Sequence, residues 1–289
     1  MFKLEKGHLE KLIPGNKNVD GWHAALVDVL PKYGIDTERR MAHFISQCAH
    51  ESNNFRSLEE NLNYSEKSLL AVFGRYFGDA PKASAAEYAR NPEKIANRVY
   101  FDKYRKYKMG NTNEGDGWLF RGRGLKQLTG RENYTKFGAS VNMTAEEAAE
   151  YVATPAGAVE SACWFWNAKN LNNIADTDDV TKMTKVINGG NIGLADRQQR
   201  YAKAMEVFGN PVSITEDAGD DDFDVDDIGV LRKGCKGEGV QMMQEALGIG
   251  ADGIFGPGTE RKLKEWQASK GLVADGIAGP ATLGELLGD

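Results

Sequence analysis

Cysteine is scarce in this 289-residue chain: Cys48, Cys163 and Cys235 lie far apart and are odd in number. No disulfide framework fits them and no CxxC pair points to structural zinc, so buried thiols in a reducing compartment are expected. Long apolar runs are missing too. The opening MFKLEKGHLEKLIPG has no stretch long enough for a signal peptide or a membrane span. Strand-like alternation is rare. There is no basic surplus either: the formal net charge of -6 speaks against a nucleic-acid binder. What is present, 41% hydrophobic and 27% charged residues, suits one large or two smaller globular domains.

The charge is unevenly spread. Residues 210–227, NPVSITEDAGDDDFDVDD, hold eight acidic residues and no basic one, and lack apolar periodicity. Like charges repel, so this stretch reads as an extended linker, with an acidic docking segment as the other reading. Residues 228–289 carry a net -1, which leaves +3 on residues 1–209. A mildly cationic large domain suits an anionic polymer, though only weakly.

The C-terminal part contains a repeat. Ala251–Leu263 (ADGIFGPGTERKL) and Ala274–Leu286 (ADGIAGPATLGEL) match at eight of thirteen positions, 23 residues apart. Asp-Gly supplies a turn, and Gly-Pro sets a proline at a first helical position. Val240, Met243 and Leu247 share one helical face upstream. A three-helix unit over 228–289 follows, a binding module rather than a catalytic one.

The larger part, 1–209, reads as mostly helical, with apolar spacing of three to four in 21–31, 39–50, 66–77, 145–151, 157–166 and 194–208. Thr37 is a fitting N-cap for the helix TERRMAHFISQCAHE. Met41, Phe44, Ile45, Cys48 and Ala49 form its apolar face, with His50 opposite. Glu51 falls about 20° from Phe44, at the edge of that stripe. Burial and the negative helix end should raise its pKa, as a general acid requires. A solvated helix-end glutamate is the bland reading.

A second carboxylate, Glu59 or Glu60, follows in SLEENLNYS. A continuous helix would set Glu51 and Glu60 about 180° and about 13.5 Å apart. Ser52-Asn53-Asn54 is instead a turn, after which the two could share a substrate. Glycoside hydrolysis uses such a pair, about 5–5.5 Å apart for retention or about 6.5–9.5 Å for inversion. The alternatives are weaker. Asn54 stands where HExxH would need its second histidine, and Cys48 and His50 do not face each other on a helix.

Two polar, glycine-rich corners complete the pattern. In FRGRGLKQLTGRENY, Gly122 and Gly124 permit close backbone approach, and Gln127, Thr129 and Asn133 offer neutral donors and acceptors. Tyr134 and Trp118 offer flat faces for sugar rings, whose edges carry hydroxyls and whose faces carry C–H groups. Ile187-Asn188-Gly189-Gly190 with Gly193 and Arg197 forms the second corner, which helix caps would also explain.

His50-Glu51-Ser52, Glu60-Asn61-Leu62-Asn63-Tyr64, Gly122 through Gly130, and Ile187 through Gly190 with Arg197 together resemble the family 19 chitinase-like glycoside hydrolases, most of all their short phage endolysins. The resemblance covers roughly residues 5–208. Residues 230–288 resemble the peptidoglycan-binding-1 module. The resemblance implies a helical, lysozyme-like catalytic domain (1–209), a flexible linker (210–227) and a small three-helix-bundle binding domain (228–289). It implies Glu51 as general acid, Glu60 as general base and Thr129 as the hydroxyl holding the attacking water, with inversion at the anomeric centre. Tyr64, Trp118, Gln127, Asn133, Tyr134, Asn188 and Arg197 would line the substrate cleft or its charge network. Only eight residues separate Glu51 from Glu60, where plant chitinases carry a longer loop, so a bulky cross-linked substrate is favoured over chitin.

The resulting expectation is a phage endolysin that hydrolyses β-1,4 bonds between N-acetylated amino sugars of bacterial peptidoglycan. It should need no metal or cofactor, act as a monomer, and neither bind nucleic acid nor insert in a membrane. It would gather in the host cytoplasm and reach the periplasm and cell wall when a holin opens the membrane. A chitinase and a non-catalytic wall-binding protein are the competing readings.

Overall fold

The structure, a computed structural model, describes residues 2–80, 82–191, 193–212, 231–235 and 238–287. In chain order the helices are α1 (Lys6–Leu12), α2 (Val19–Val29), α3 (Glu38–Glu51), α4 (Glu66–Phe73), α5 (Ala85–Tyr88), α6 (Pro92–Val99), α7 (Asp116–Leu119) and α8 (Arg131–Ser140). They continue with α9 (Ala145–Tyr151), α10 (Pro155–Ala168), α11 (Leu171–Ala175), α12 (Val180–Asn188), α13 (Leu194–Val207), α14 (Glu238–Ala246), α15 (Pro257–Ser269) and α16 (Pro280–Leu287). Among the described residues, extended segments pair only as isolated bridges, so the mostly helical expectation holds. None of their helices is long and apolar enough to cross a membrane.

The chain divides into two compact units. The first joins 1–59 to 122–221 and is built around α3. Thr37 caps that helix as expected, its hydroxyl accepting from Arg40 N–H at 3.3 Å. Every residue from Met41 to Ala49 is buried, so α3 is wrapped on all sides rather than along one stripe. Helix α13 lies along it, and α1, α10 and α11 also meet it. Phe44 meets Trp166 of α10 edge-on, with ring centroids 5.4 Å apart. Asn210 and Val212 still belong to this unit: Asn210 bonds Glu38 at 2.5 Å, and Val212 packs on the core. The expected linker lies outside the described residues from 213 onward.

The turn after α3 is sharper than its sequence suggested. Asn53, Asn54 and Phe55 take positive φ values of 51°, 58° and 60° in succession. Asparagine tolerates this conformation, whereas phenylalanine is strained in it. Two things hold Phe55 there. Ser52 Oγ accepts from its N–H at 3.1 Å, and its buried ring packs edge-on against Trp22 with centroids 5.1 Å apart.

The second unit joins 60–121 to 222–289. Its described residues hold two apolar clusters. One gathers α4–α6 around Phe73, Phe77 and Ile95; the other gathers α14–α16 around Val240, Met243 and Leu263. Ala71 of α4 is a buried member of that second cluster. The C-terminal helices therefore share a core with α4.

The internal repeat has a structural meaning that the matched segments alone did not reveal. Gln244 and Gln267, also 23 residues apart, are its hubs. Gln267 Nε2 lies 2.9 Å from Asp275 Oδ1, 2.9 Å from Ile277 O and 3.2 Å from Thr282 Oγ1. Its Oε1 accepts from Gly276 N–H at 2.9 Å. Gln244 makes the same set with Asp252, Ile254, Thr259 and Gly253. Each glutamine is a fully buried amide that fastens the Asp-Gly turn to the helix after it. Gln267→Ala is expected to cost about 2–3 kcal/mol, because it leaves several groups short of a partner. Hydrogen exchange checks this: exchange of the Gly276 amide should accelerate while that of Gly253 holds. Equal rates at Gly276 in both proteins would refute the hub role.

Candidate active site

Glu51 is the last residue of α3, where helix carbonyls point outward and disfavour a negative charge. Two cations offset that. Arg197, in the first turn of α13, places Nη2 2.6 Å from Glu51 Oε1. Lys126, from the turn before α8, places Nζ 3.0 Å from the same oxygen. The other guanidinium arm of Arg197 donates to Gln47 Oε1, one helical turn before Glu51. Arg197 is 1% exposed, so its charge is buried and needs this partner.

The pKa expectation for Glu51 is thereby corrected. Burial does push its carboxyl upward, but the ammonium of Lys126 and the guanidinium of Arg197 outweigh burial and hold it well below the usual carboxylate range. Cys48, one turn back, is inert: burial pushes its thiol up to about 12.

The side of α3 that carries His50, opposite the expected apolar face, is covered by α13. His50 Nδ1 lies 2.6 Å from Asp196 Oδ2, which also accepts from Arg200 Nε at 2.6 Å. Arg200 continues to Asn54 Oδ1 at 2.6 Å, tying α13 to the turn after α3. Gly193 caps α13 with φ +68°, and a Cβ there would stand 2.4 Å from the His50 ring. Glycine is required twice over, for conformation and for space. The cap reading of the second corner is right for Gly193 and for Gly189, which closes α12. Asn188 is the half-buried last residue of α12.

The turn 123–128 is a minimal hairpin in which Arg123 bridges both Glu59 and Leu128. Gly124 approaches α9 and α10 so closely that a Cβ would meet Val152 Cγ1 at 2.8 Å. Gln127 sits at φ +51°, an uncommon conformation for a side-chain-bearing residue, with Nε2 donating to Gly124 O at 3.2 Å. Thr129 Oγ1 donates to Gln127 O at 2.8 Å, which leaves its lone pairs as acceptors. Exposed Asn133 donates to Thr129 O at 2.9 Å. Lys126, Gln127 and Thr129 thus come together on one loop, with Asn133 bonded to it from the first turn of α8.

The two glutamates of SLEENLNYS have different partners. Glu59 Oε1 lies 3.0 Å from Arg123 Nε. Glu60, in the second unit, accepts from Tyr100 Oη–H at 2.5 Å. Tyr100 is 4% exposed, anchored at the end of α6, and its carbonyl accepts from Asn111 Nδ2 at 2.9 Å. Burial and the neighbouring Glu60 carboxylate push its hydroxyl well above the ordinary tyrosine value.

Two aromatic expectations need correction. Tyr134 is 0% exposed, because α8 turns both it and Phe137 inward. Tyr64 is 2% exposed and meets Phe73 edge-on at 5.2 Å in the α4–α6 cluster. Neither presents a ring face. Trp118 is half-buried, and the Arg121 guanidinium lies 3.7 Å from its ring centroid. Sequence reasoning assigned no role to Lys126, Gln47, Asp196, Arg200 and Tyr100. Gln47 was within reach, four residues before Glu51 on the same helical face.

Residues 236–286 match a family model described as "Putative peptidoglycan binding domain". A Haemophilus influenzae protein described as "Glycosyl hydrolase family 19 domain-containing protein" is 38% identical over 190 residues, which is 65% of this chain and 89% of that protein. Chitinase C from Streptomyces griseus HUT6037 is 15% identical with a TM-score of 0.50, covering 73% of this chain and 95% of that one. At that identity the likeness is one of fold.

Proposed function

The chain belongs to glycosyl hydrolase family 19, and on that premise we propose that it cleaves the glycan strands of bacterial peptidoglycan. The observation that carries the reading is the sequel in the same chain: a family 19 domain followed by a segment matching a peptidoglycan-binding family. The proposed assignment makes residues 1–209 catalytic, 210–227 a connector and 228–289 the wall-binding part.

In this reading Glu51 delivers a proton to the glycosidic oxygen as its bond to the anomeric carbon breaks. Glu60 takes a proton from water, whose oxygen bonds that carbon from the opposite face and inverts it. Tyr100 orients Glu60 through its 2.5 Å hydrogen bond. Thr129 accepts a hydrogen bond from the attacking water, since its own proton is committed to Gln127 O. Gln127, Asn133 and Asn188 offer polar contacts to the sugars, and Arg197 holds Glu51 in place. These steps require no cofactor. The biological role that fits is a phage endolysin. It would act as a monomer, accumulate in the host cytoplasm, pass to the periplasm and wall once a holin opens the membrane, and so lyse the host.

Digestion of purified sacculi tests the reading. Mass spectrometry should find new reducing ends on an N-acetylated amino sugar, and NMR of fresh products should show the inverted anomer. Release of stem peptides without new reducing ends would overturn the glycosidase assignment. Faster cleavage of chitin oligomers than of sacculi would overturn the substrate.

A further inference from the structure

Arg197 and Lys126 both approach Glu51 Oε1, at 2.6 and 3.0 Å. Among the described residues, no group bonds Oε2. An acid in this position has one oxygen to carry its proton, and two cations on the other oxygen that oppose protonation.

The two cations are not equivalent. Arg197 is buried, joined to Gln47 and permanently charged, so it is part of the framework. Lys126 comes from the hairpin turn on a flexible stem. About 12% of its side chain is exposed, and its Nζ lies 5.6 Å from the Phe165 ring centroid. Its ammonium can be replaced without emptying the core.

We propose that Lys126 is a positioning residue that sets the pH range in which Glu51 can act as a proton donor; this rests on the reading of Glu51 as the acid. The other groups around Glu51 do not substitute for it. On α3 itself, Cys48 is held neutral by burial and Gln47 carries no charge. His50 is engaged by Asp196, which α13 also neutralises with Arg200. Among the described residues Lys126 and Arg197 are the cations in direct contact with the carboxylate, and His50, next to it on α3, adds a smaller pull in the same direction. Lys126 strengthens the acid but reduces the fraction of molecules that hold the proton, the usual compromise for an acid.

Two measurements on the full chain test this, each with wild type, Lys126→Met and Lys126→Arg. The first is kcat/KM against pH on soluble glycan fragments of peptidoglycan. Lys126→Met should move the alkaline limb up by about 1–3 pH units, the effect of a contacting opposite charge on a carboxylate. Lys126→Arg should leave it near the wild-type position. The second is a carbon-13 NMR titration of the glutamate carboxyls without substrate, with Glu51 assigned by Glu51→Gln. Its midpoint should rise by the same amount in Lys126→Met. Both shifts together support the inference. If neither moves while wild type cleaves and Glu51→Gln does not, Lys126 is uncoupled and the inference falls alone. If the NMR midpoint moves and the kinetic limb does not, Glu51 is not the acid, and that reading falls with the inference.

Discussion

Glu51→Gln should reduce turnover on sacculi by a factor on the order of 10²–10⁴, the range typical of a lost general acid. The amide is nearly isosteric and can still accept from Arg197 and Lys126, but it cannot supply a proton. It also removes the negative charge that both cations meet at Glu51. A lower melting temperature should therefore accompany the loss of rate. Glu60→Gln should cost a similar factor in rate, and the Tyr100 hydroxyl can donate to an amide oxygen equally well. Rates measured with melting curves for both variants separate chemistry from stability. Retention of more than half the wild-type rate by either variant would remove that residue from the mechanism.

Much of the first unit's centre was legible because its determinants are local. Thr37 before an apolar periodic run marks where α3 begins, and Ser52-Asn53-Asn54 marks where it ends. The repeat at an offset of 23 likewise announced the paired turns of the C-terminal helices, though its glutamine hubs lay outside the best-matching blocks. What escaped was set by long-range packing. His50 was expected opposite the apolar face, but helical periodicity says which faces differ, not whether a second helix covers the polar one. Lys126 stands 75 residues from Glu51 in sequence, and nothing local tells its ammonium from that of any loop lysine. This is why the pKa of Glu51 was expected on the wrong side of normal. Burial and helix polarity can be read from α3 alone, whereas the two cations that override them come from elsewhere. Tyr64 and Tyr134 failed for the opposite reason: an aromatic ring serves a core as readily as a sugar face, and sequence does not separate the two uses.

Arg197→Met should destabilise the chain by about 3 kcal/mol at neutral pH, the lower end of the cost of breaking a buried ion pair. The lower end applies because the Glu51 side chain is 24% exposed and keeps Lys126, whereas Arg197 itself is nearly sealed. Methionine preserves the packing of the aliphatic stem, so the loss measures charge and hydrogen bonding rather than a cavity. The effect should also depend on pH, with a definite sign. The folded protein holds the Glu51 carboxyl well below the value it has in the unfolded chain. A depressed carboxyl contributes stability that is fully present above its unfolded pKa, near 4.3, and is lost as the pH falls toward its folded value. Wild type should therefore lose stability as the pH is lowered from about 5 to about 3, and Arg197→Met should lose less over that interval. The gap between the two proteins should narrow in acid. Denaturant titrations of both at the two pH values measure it. A gap that stays constant, or one below about 1 kcal/mol at neutral pH, a size typical of exposed ion pairs, would mean that Arg197 does not stabilise the fold through Glu51.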